Sequence, residues 1–188
     1  MPTSAMDGRG WVYDRIRDTT ADVIVDVGAG EGTHAILARH TRLDAKWIGV
    51  EIHEPYIERF MLRDKYDDVV RADIRTWREP IHSAPYVILF GDVLEHMERE
   101  QAVALLEFHQ RHAEEIYVSV PIVYSPQDAC FGNEHEAHLY HWEFEEMRDL
   151  LPGCESFQGV MVGRYWWRRP EVVRTLVGEE GPELEVLP

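Results

Sequence analysis

One stretch constrains the fold of this chain more than any other: Val23-Ile24-Val25-Asp26-Val27-Gly28-Ala29-Gly30-Glu31-Gly32-Thr33-His34, followed by Ala35-Ile36-Leu37-Ala38-Arg39. It begins as a short β-branched run, which reads as a strand covered on both faces. Three glycines at alternate positions then break the run before a helix-compatible segment. Strand, glycine turn and helix in that order place a ligand site at the carboxyl edge of a parallel sheet. Missing side chains let the backbone approach a flat ligand there. The bland alternative is a tight turn that binds nothing.

Spacing and charge narrow the ligand. A dinucleotide loop needs Gly-x-Gly-x-x-Gly, which would put the third glycine at Thr33. It falls instead at Gly32, and Glu31 sets a carboxylate inside the loop. Asp26, near the end of the strand, adds a second acid. Two acids beside a glycine loop suit a positively charged ligand such as an ammonium or sulfonium. They are awkward neighbours for a pyrophosphate.

Further apolar runs follow, several with an acid at the end. Trp47-Ile48-Gly49-Val50-Glu51 is the second, with an acid about 20 residues past the loop, placed for ribose hydroxyls. Val69 to Ile74 is the third and contains Asp73. Tyr86 to Phe90 is the fourth and runs into Gly91-Asp92-Val93-Leu94-Glu95-His96, and Ile116 to Pro121 is the fifth. The acid followed by Gly-x-Gly-x-Gly resembles motif I of the class I S-adenosylmethionine-dependent methyltransferases. The segment Gly91 to His96 resembles their motif IV. The resemblance implies a doubly wound, mostly parallel Rossmann-like α/β sheet in a single domain, with S-adenosylmethionine as cofactor. It implies cofactor contacts from Asp26, Gly28, Ala29, Gly30, Gly32, Glu51, Ile52, Asp73, Ile74, Gly91, Asp92 and Val93, with the Asp73 position at the adenine edge.

After the fifth strand the chain carries Pro126-Gln127, then Gly132-Asn133-Glu134-His135-Glu136-Ala137-His138, and then Trp142. This resembles a subgroup of class I enzymes with Pro-Gln and Gly-Asn-x-x-Glu-x-His-x-x-x-Trp in this place. The glycine usual after Pro-Gln is Asp128 here. Long loops inside compact domains are commonly functional, so Gln127 to Trp142, with the aromatics Phe131 and Trp142, is assigned to the acceptor side. A structural flap with Trp142 packed beneath the following helix is the alternative. His96, Glu136 and His138 are the candidate catalytic bases. His96 could equally cap a helix or bond a backbone carbonyl. His135, His138 and His141 invite a metal reading, but the third drifts off the face the first two would share, so no metal is expected.

Organisation is simple. Residues 1–20 read as a leader with a helix around Trp11 to Ile16, 21–177 as the cofactor-binding domain and 178–188 as a disordered acidic tail. Ala102, Leu105 and Leu106 share one face of the fourth crossover helix. A helix is expected from His141 to Leu151, stopped by Pro152-Gly153. Glu155 to Arg168 reads as one long strand or as a hairpin broken near Gly159 or Gly163.

Composition bounds the setting. The formal charge of -16, with no Asp/Asn-Pro-Pro-Tyr motif and no Pro-Cys nucleophile, argues against a nucleic-acid acceptor. It favours a small molecule, such as a metabolite, sugar or nucleotide-linked precursor, methylated on oxygen or nitrogen. Arg164, Arg168, Arg169 and Arg174 form a late basic cluster, read as a solvated strand edge. No run has transmembrane length, and no signal peptide or membrane partner is expected. Cys130 and Cys154 are too far apart for a C-x-x-C pair and fit a reducing cytoplasm. Two other classes share the fold, a non-catalytic cofactor-binding module and a nicotinamide-dependent oxidoreductase.

Overall fold

The computed structural model describes residues 7–77, 85–130 and 132–170. Phe131, Arg174 and the acidic tail at 178–188 lie outside the described residues. The strands are β1 (Val23–Val27), β2 (Lys46–Glu51), β3 (Asp68–Arg71), β4 (Tyr86–Gly91), β5 (Glu115–Pro121), β6 (Glu155–Gln158) and β7 (Val162–Arg168). The helices are α1 (Arg9–Asp18), α2 (Thr33–Ala38), α3 (Glu54–Arg59), α4 (Arg99–His112) and α5 (Phe144–Leu150). One sheet holds all seven strands in the order β3-β2-β1-β4-β5-β7-β6. The first five are parallel, and β7 enters antiparallel against β5, pairing in turn with β6. Strand order reverses between β1 and β4, which opens a crevice at their carboxyl ends.

The central strands β1, β2, β4 and β5 are mostly apolar because both faces are covered, whereas the edge strands β3 and β6 are largely exposed. Val25 and Val27 point to one side, with Ile88, Phe90, Ile116, Trp142 and the α4 residues Ala102, Leu105 and Leu106. Ile24 points to the other, with Val12 and Ile16 of α1, Ala35 and Ala38 of α2, and Trp166. The expected α4 face is therefore the buried one. Its first turn is closed by a capping box, in which the Gln101 side chain accepts the Glu98 N–H at 3.2 Å.

Two elements depart from the sequence reading, and a third settles an alternative that it left open. The third strand stops at Arg71, because the Asp73 carbonyl accepts the Thr76 and Trp77 N–H groups and turns the chain. The helix expected from His141 begins at Phe144, after Glu143 in extended backbone. Glu155 to Arg168 is a hairpin, broken between Gln158 and Val162, where the Gly159 N–H donates to the Val162 carbonyl.

The late arginines also differ from expectation. Arg164 is buried and donates to the Asp7 carbonyl (2.6 Å) and the Tyr117 hydroxyl. Arg168 pairs with Glu115 and Glu155, and Arg169 donates to the Ala113 carbonyl. They fasten the antiparallel edge to the rest of the domain, Arg164 from within the core and Arg168 with half of its side chain still in solvent.

Gly91, the last residue of β4, lies over the buried His34 ring of α2. A Cβ there would overlap the His34 Cε1 atom, and His34 is held from behind by Asp26. Gly91→Ala should therefore cost about 1–3 kcal/mol as an overpacked core substitution. Chemical denaturation checks this, and an unchanged midpoint would mean that His34 yields freely.

Candidate active site

The floor of the crevice is the glycine loop. Gly28 sits at φ +62, where side chains are strained, and a Cβ there would come 2.7 Å from Val93 Cγ2. Glycine lets the loop lie against the segment that follows β4. The Gly28 and Ala29 N–H groups donate to the Val50 carbonyl at 2.9 and 3.2 Å, drawing the loop toward β2. Glu51, at the end of β2, then accepts the Gly30 N–H (3.0 Å) and the His53 N–H (2.8 Å). Burial raises its carboxyl above the ordinary carboxylate range, partly offset by those donors.

Two of the expected cofactor residues lie elsewhere. Asp26 does not line the cleft. Its carboxylate is buried beneath the loop, where it accepts from the His34 Nδ1–H (2.9 Å) and the Tyr66 hydroxyl (2.6 Å). Gly32 also lies outside the lining and serves as the left-handed cap of α2 at φ 74. Gly28, Ala29, Gly30, Glu51, Ile52, Asp73, Ile74, Gly91, Asp92 and Val93 all line the cleft. Asp73 does so with its carboxylate held by Arg75, through Nε and a 2.7 Å bond from Nη2, which lowers its pKa.

The opposite wall comes from the turn after β4 and the loop after β5. Asp92 adopts φ 56, a strained angle that aspartate tolerates better than most residues. It is held there by its N–H on the Ser119 carbonyl (2.9 Å) and its carboxylate on the Ser119 hydroxyl (2.7 Å). A single 3-10 turn, Leu94–His96, follows. The Leu139 and Tyr140 N–H groups both donate to the Glu95 backbone carbonyl, at 2.8 and 3.2 Å, and lay the β5 loop across this turn. His138 thereby stands beside His96, ring centroids 4.9 Å apart.

All three candidate bases, His96, Glu136 and His138, line the cleft. His96 does bond a backbone carbonyl, that of Ala137 at 3.1 Å. Burial lowers its pKa. The loop is braced from within. The Gln127 amide donates to the Glu136 carbonyl (2.7 Å), the His138 N–H to the Gln127 carbonyl (2.9 Å), and the His135 N–H to the Asn133 side chain (3.0 Å). Trp142 is fully buried in the core on the α4 side. The loop is thus anchored in the core at Trp142 and turns Glu136 and His138 toward the cleft.

Sequence reasoning missed Glu95. Its side chain is 2% exposed and lines the cleft, and among the described residues its Oε2 atom meets no hydrogen-bond donor. Burial, then repulsion from Asp92, pushes its carboxyl well above the ordinary range. His34 and Thr33 were also missed, entering the lining from the first turn of α2. The whole cleft has a volume of about 310 Å³. Among the described residues, five carboxylates line it, those of Glu51, Asp73, Asp92, Glu95 and Glu136, against one guanidinium, Arg75, already tied to Asp73. Such a lining attracts a cation and repels a pyrophosphate.

Residues 24–115 match the family model described as a methyltransferase domain. No curated protein matches the chain. Among solved structures, the N-terminal domain of EvdMO1 with SAH bound is similar, with TM-score 0.64, 15% identity and coverage of 89% of this chain and 83% of that one. The small RNA methyltransferase HEN1 gives TM-score 0.66 at 19% identity, over 91% of this chain and 26% of its own. The Burkholderia thailandensis 1,6-didemethyltoxoflavin-N1-methyltransferase gives 0.61 at 15% identity, over 87% of this chain and 77% of its own. The chain therefore has the class I methyltransferase fold. The expectation that a nucleic acid is an unlikely partner is overturned, since a small RNA methyltransferase contains this fold over 91% of this chain, within 26% of its own length. Net charge was a poor guide because acceptor recognition is a local matter of the cleft wall.

The Glu95 carboxyl supplies a test of the electrostatics. With its pKa raised on folding, its contribution to stability is full below the ordinary carboxylate range and is lost as pH rises through the raised value. In chelator-containing buffer, Glu95→Gln should melt higher than the parent at pH 8, by about 2–4 °C for each kcal/mol relieved. The gap should close toward pH 4. A pH-independent difference in thermal scans would refute the assignment.

Proposed function

From a methyltransferase domain with an acid-lined cleft, we propose that this chain moves a methyl group from S-adenosylmethionine to an oxygen or nitrogen nucleophile. The observation that carries the reading is the continuity of the cleft. One cleft is lined by the glycine loop, Glu51, Asp73 and Asp92 together with His96, Glu136 and His138. The acidic lining fits a sulfonium, and the Cβ-free loop at Gly28 fits a ligand lying close to the backbone. The same features disfavour the oxidoreductase alternative, whose cofactor carries a pyrophosphate.

When bound, S-adenosylmethionine supplies an electrophilic methyl group on positively charged sulfur. The protein's part is to hold a nucleophile in line with that methyl, which can provide much of the acceleration. Glu51 and the glycine loop orient the ribose end. Glu136, His96 and His138 face the acceptor, where a neutral imidazole or a carboxylate takes up the nucleophile's proton. The loop over them excludes water.

A small molecule is the first acceptor class to test, as for the didemethyltoxoflavin enzyme. The RNA class of HEN1 belongs in the same panel. Release of S-adenosylhomocysteine across metabolites, sugars, nucleotide-linked compounds and short RNAs identifies the acceptor. Cofactor binding without turnover on the whole panel favours the non-catalytic module. Tighter binding of NAD than of S-adenosylmethionine in calorimetry would overturn the proposal.

Two variants follow. Glu51→Ala removes a buried carboxylate placed for charge-assisted bonds of about 1.5–3 kcal/mol each, so S-adenosylhomocysteine affinity should fall at least about tenfold, while circular dichroism stays native. Unchanged affinity removes Glu51 from the site. Glu136→Gln and His138→Asn should lose methyl transfer and keep S-adenosylhomocysteine affinity within a few-fold of the parent. Full turnover in both would discard the acceptor-side assignment.

A further inference from the structure

We propose that Glu95, His96 and His138 bind a divalent transition-metal ion at the acceptor end of the cleft. One ligand-type atom from each of the three lies within 4.8 Å of the others. The expectation of no metal rested on His135, His138 and His141 acting together. The fold separates them: His141 turns to Glu143 (3.5 Å), whereas His138 meets two residues some forty positions earlier.

Three observations favour a metal over a chance meeting of polar groups. First, each imidazole is oriented by a backbone carbonyl. His96 Nδ1 faces the Ala137 carbonyl at 3.1 Å, and His138 Nδ1 faces the Ser125 carbonyl at 2.6 Å. A carbonyl only accepts, so in both rings Nδ1 carries the hydrogen and Nε2 keeps its lone pair, the arrangement that metal-binding histidines use. Second, Glu95 Oε2 is buried and meets no hydrogen-bond donor among the described residues. An unmatched buried carboxylate is costly, and a cation would satisfy it. Third, Asp92 and Glu136 add negative potential around it.

The ligand set indicates the ion. Two imidazoles and one carboxylate suit zinc, manganese or cobalt, whereas calcium and magnesium take mostly oxygen ligands. Three protein ligands also leave a coordination position for substrate, as in catalytic zinc sites. On the methyltransferase reading proposed above, that position faces the acceptor. An amine needs only to be uncharged to attack, whereas an alcohol gains from a cation that lowers its pKa. The acceptor class is therefore a hydroxyl compound. With both imidazoles held by the ion, the base named above is Glu136 and not His96 or His138. The hydroxyl proton passes to Glu136 or solvent, the oxygen forms the new bond to the methyl carbon, and the electron pair of the broken carbon–sulfur bond stays on sulfur.

The test is a titration of chelator-stripped protein with Zn²⁺ by calorimetry and with Co²⁺ by visible absorption. One equivalent per chain is expected. His96→Ala and His138→Ala should weaken binding at least about tenfold, while His141→Asn should bind as the parent does. Glu95→Gln, nearly isosteric, should do the same as the two alanine variants, and answers if those fail to fold. Absence of stoichiometric uptake by the parent, or parent-like affinity in folded Glu95→Gln and His138→Ala, would overturn the site. S-adenosylhomocysteine titrations of the stripped and loaded protein separate the two proposals. Binding of the nucleoside without metal uptake removes only the metal, and metal uptake without nucleoside binding removes only the methyltransferase reading.

Discussion

A single buried carboxylate holds the centre of this structure together. Asp26 lies within β1, a strand covered on both faces, where an unpaired charge would be prohibitive. It is made tolerable by two donors from different elements, His34 on α2 and Tyr66 ahead of β3. Tyr66 reaches it because Gly49, the β2 residue in register with Asp26, has no side chain. A Cβ there would come 2.9 Å from the Tyr66 ring. The bonds join β1, α2 and the approach to β3 under the glycine loop, so the loop rests on a polar node as well as on apolar packing. His34 in turn sits beneath Gly91 and edge-on to Tyr117. The same node therefore reaches β4 and β5 and supports both walls of the cleft.

The parts of this arrangement visible in the chain were those fixed by local chemistry. Buried parallel strands must be apolar, a strand-to-helix turn of this kind needs glycine, and an acid just past a strand lies at the sheet's carboxyl edge. These rules located Glu51, Asp92 and most of the lining. The same rules misplaced Asp26, because alternation along β1 does not say which way an acid within a strand points when both faces are covered. Strand ends were blurred where tertiary bonds decided them, as at Arg71, where the Asp73 carbonyl begins a turn.

Glu95 illustrates a second limit. In sequence it is one acid in Asp92-Val93-Leu94-Glu95-His96, and nothing nearby marks it as buried. Its burial comes from the β5 loop, laid over it by two N–H groups more than forty residues later. Likewise, spacing within the loop grouped His135, His138 and His141, while the partner that matters to His138 is on another turn. Ligands assembled across distant segments have no periodic signature. What the sequence does offer is the pair of adjacent, chemically rich segments, without their juxtaposition.

The bonds from Arg164 to Asp7 and Tyr117, with the ion pair between Arg15 and Glu155, have a consequence for biosynthesis. α1 is made early, yet its partners on β6 and β7 emerge about 140 residues later. Until then Val12 and Ile16 have no Trp166 to pack on. The parallel strands can assemble on the ribosome in their order of emergence, but the antiparallel hairpin must arrive before the leader helix can settle. Such late, long-range closure slows folding and leaves apolar surface open to chaperones in the interval. Emergence of β6 and β7, more than formation of the glycine loop, is then the event that completes the domain.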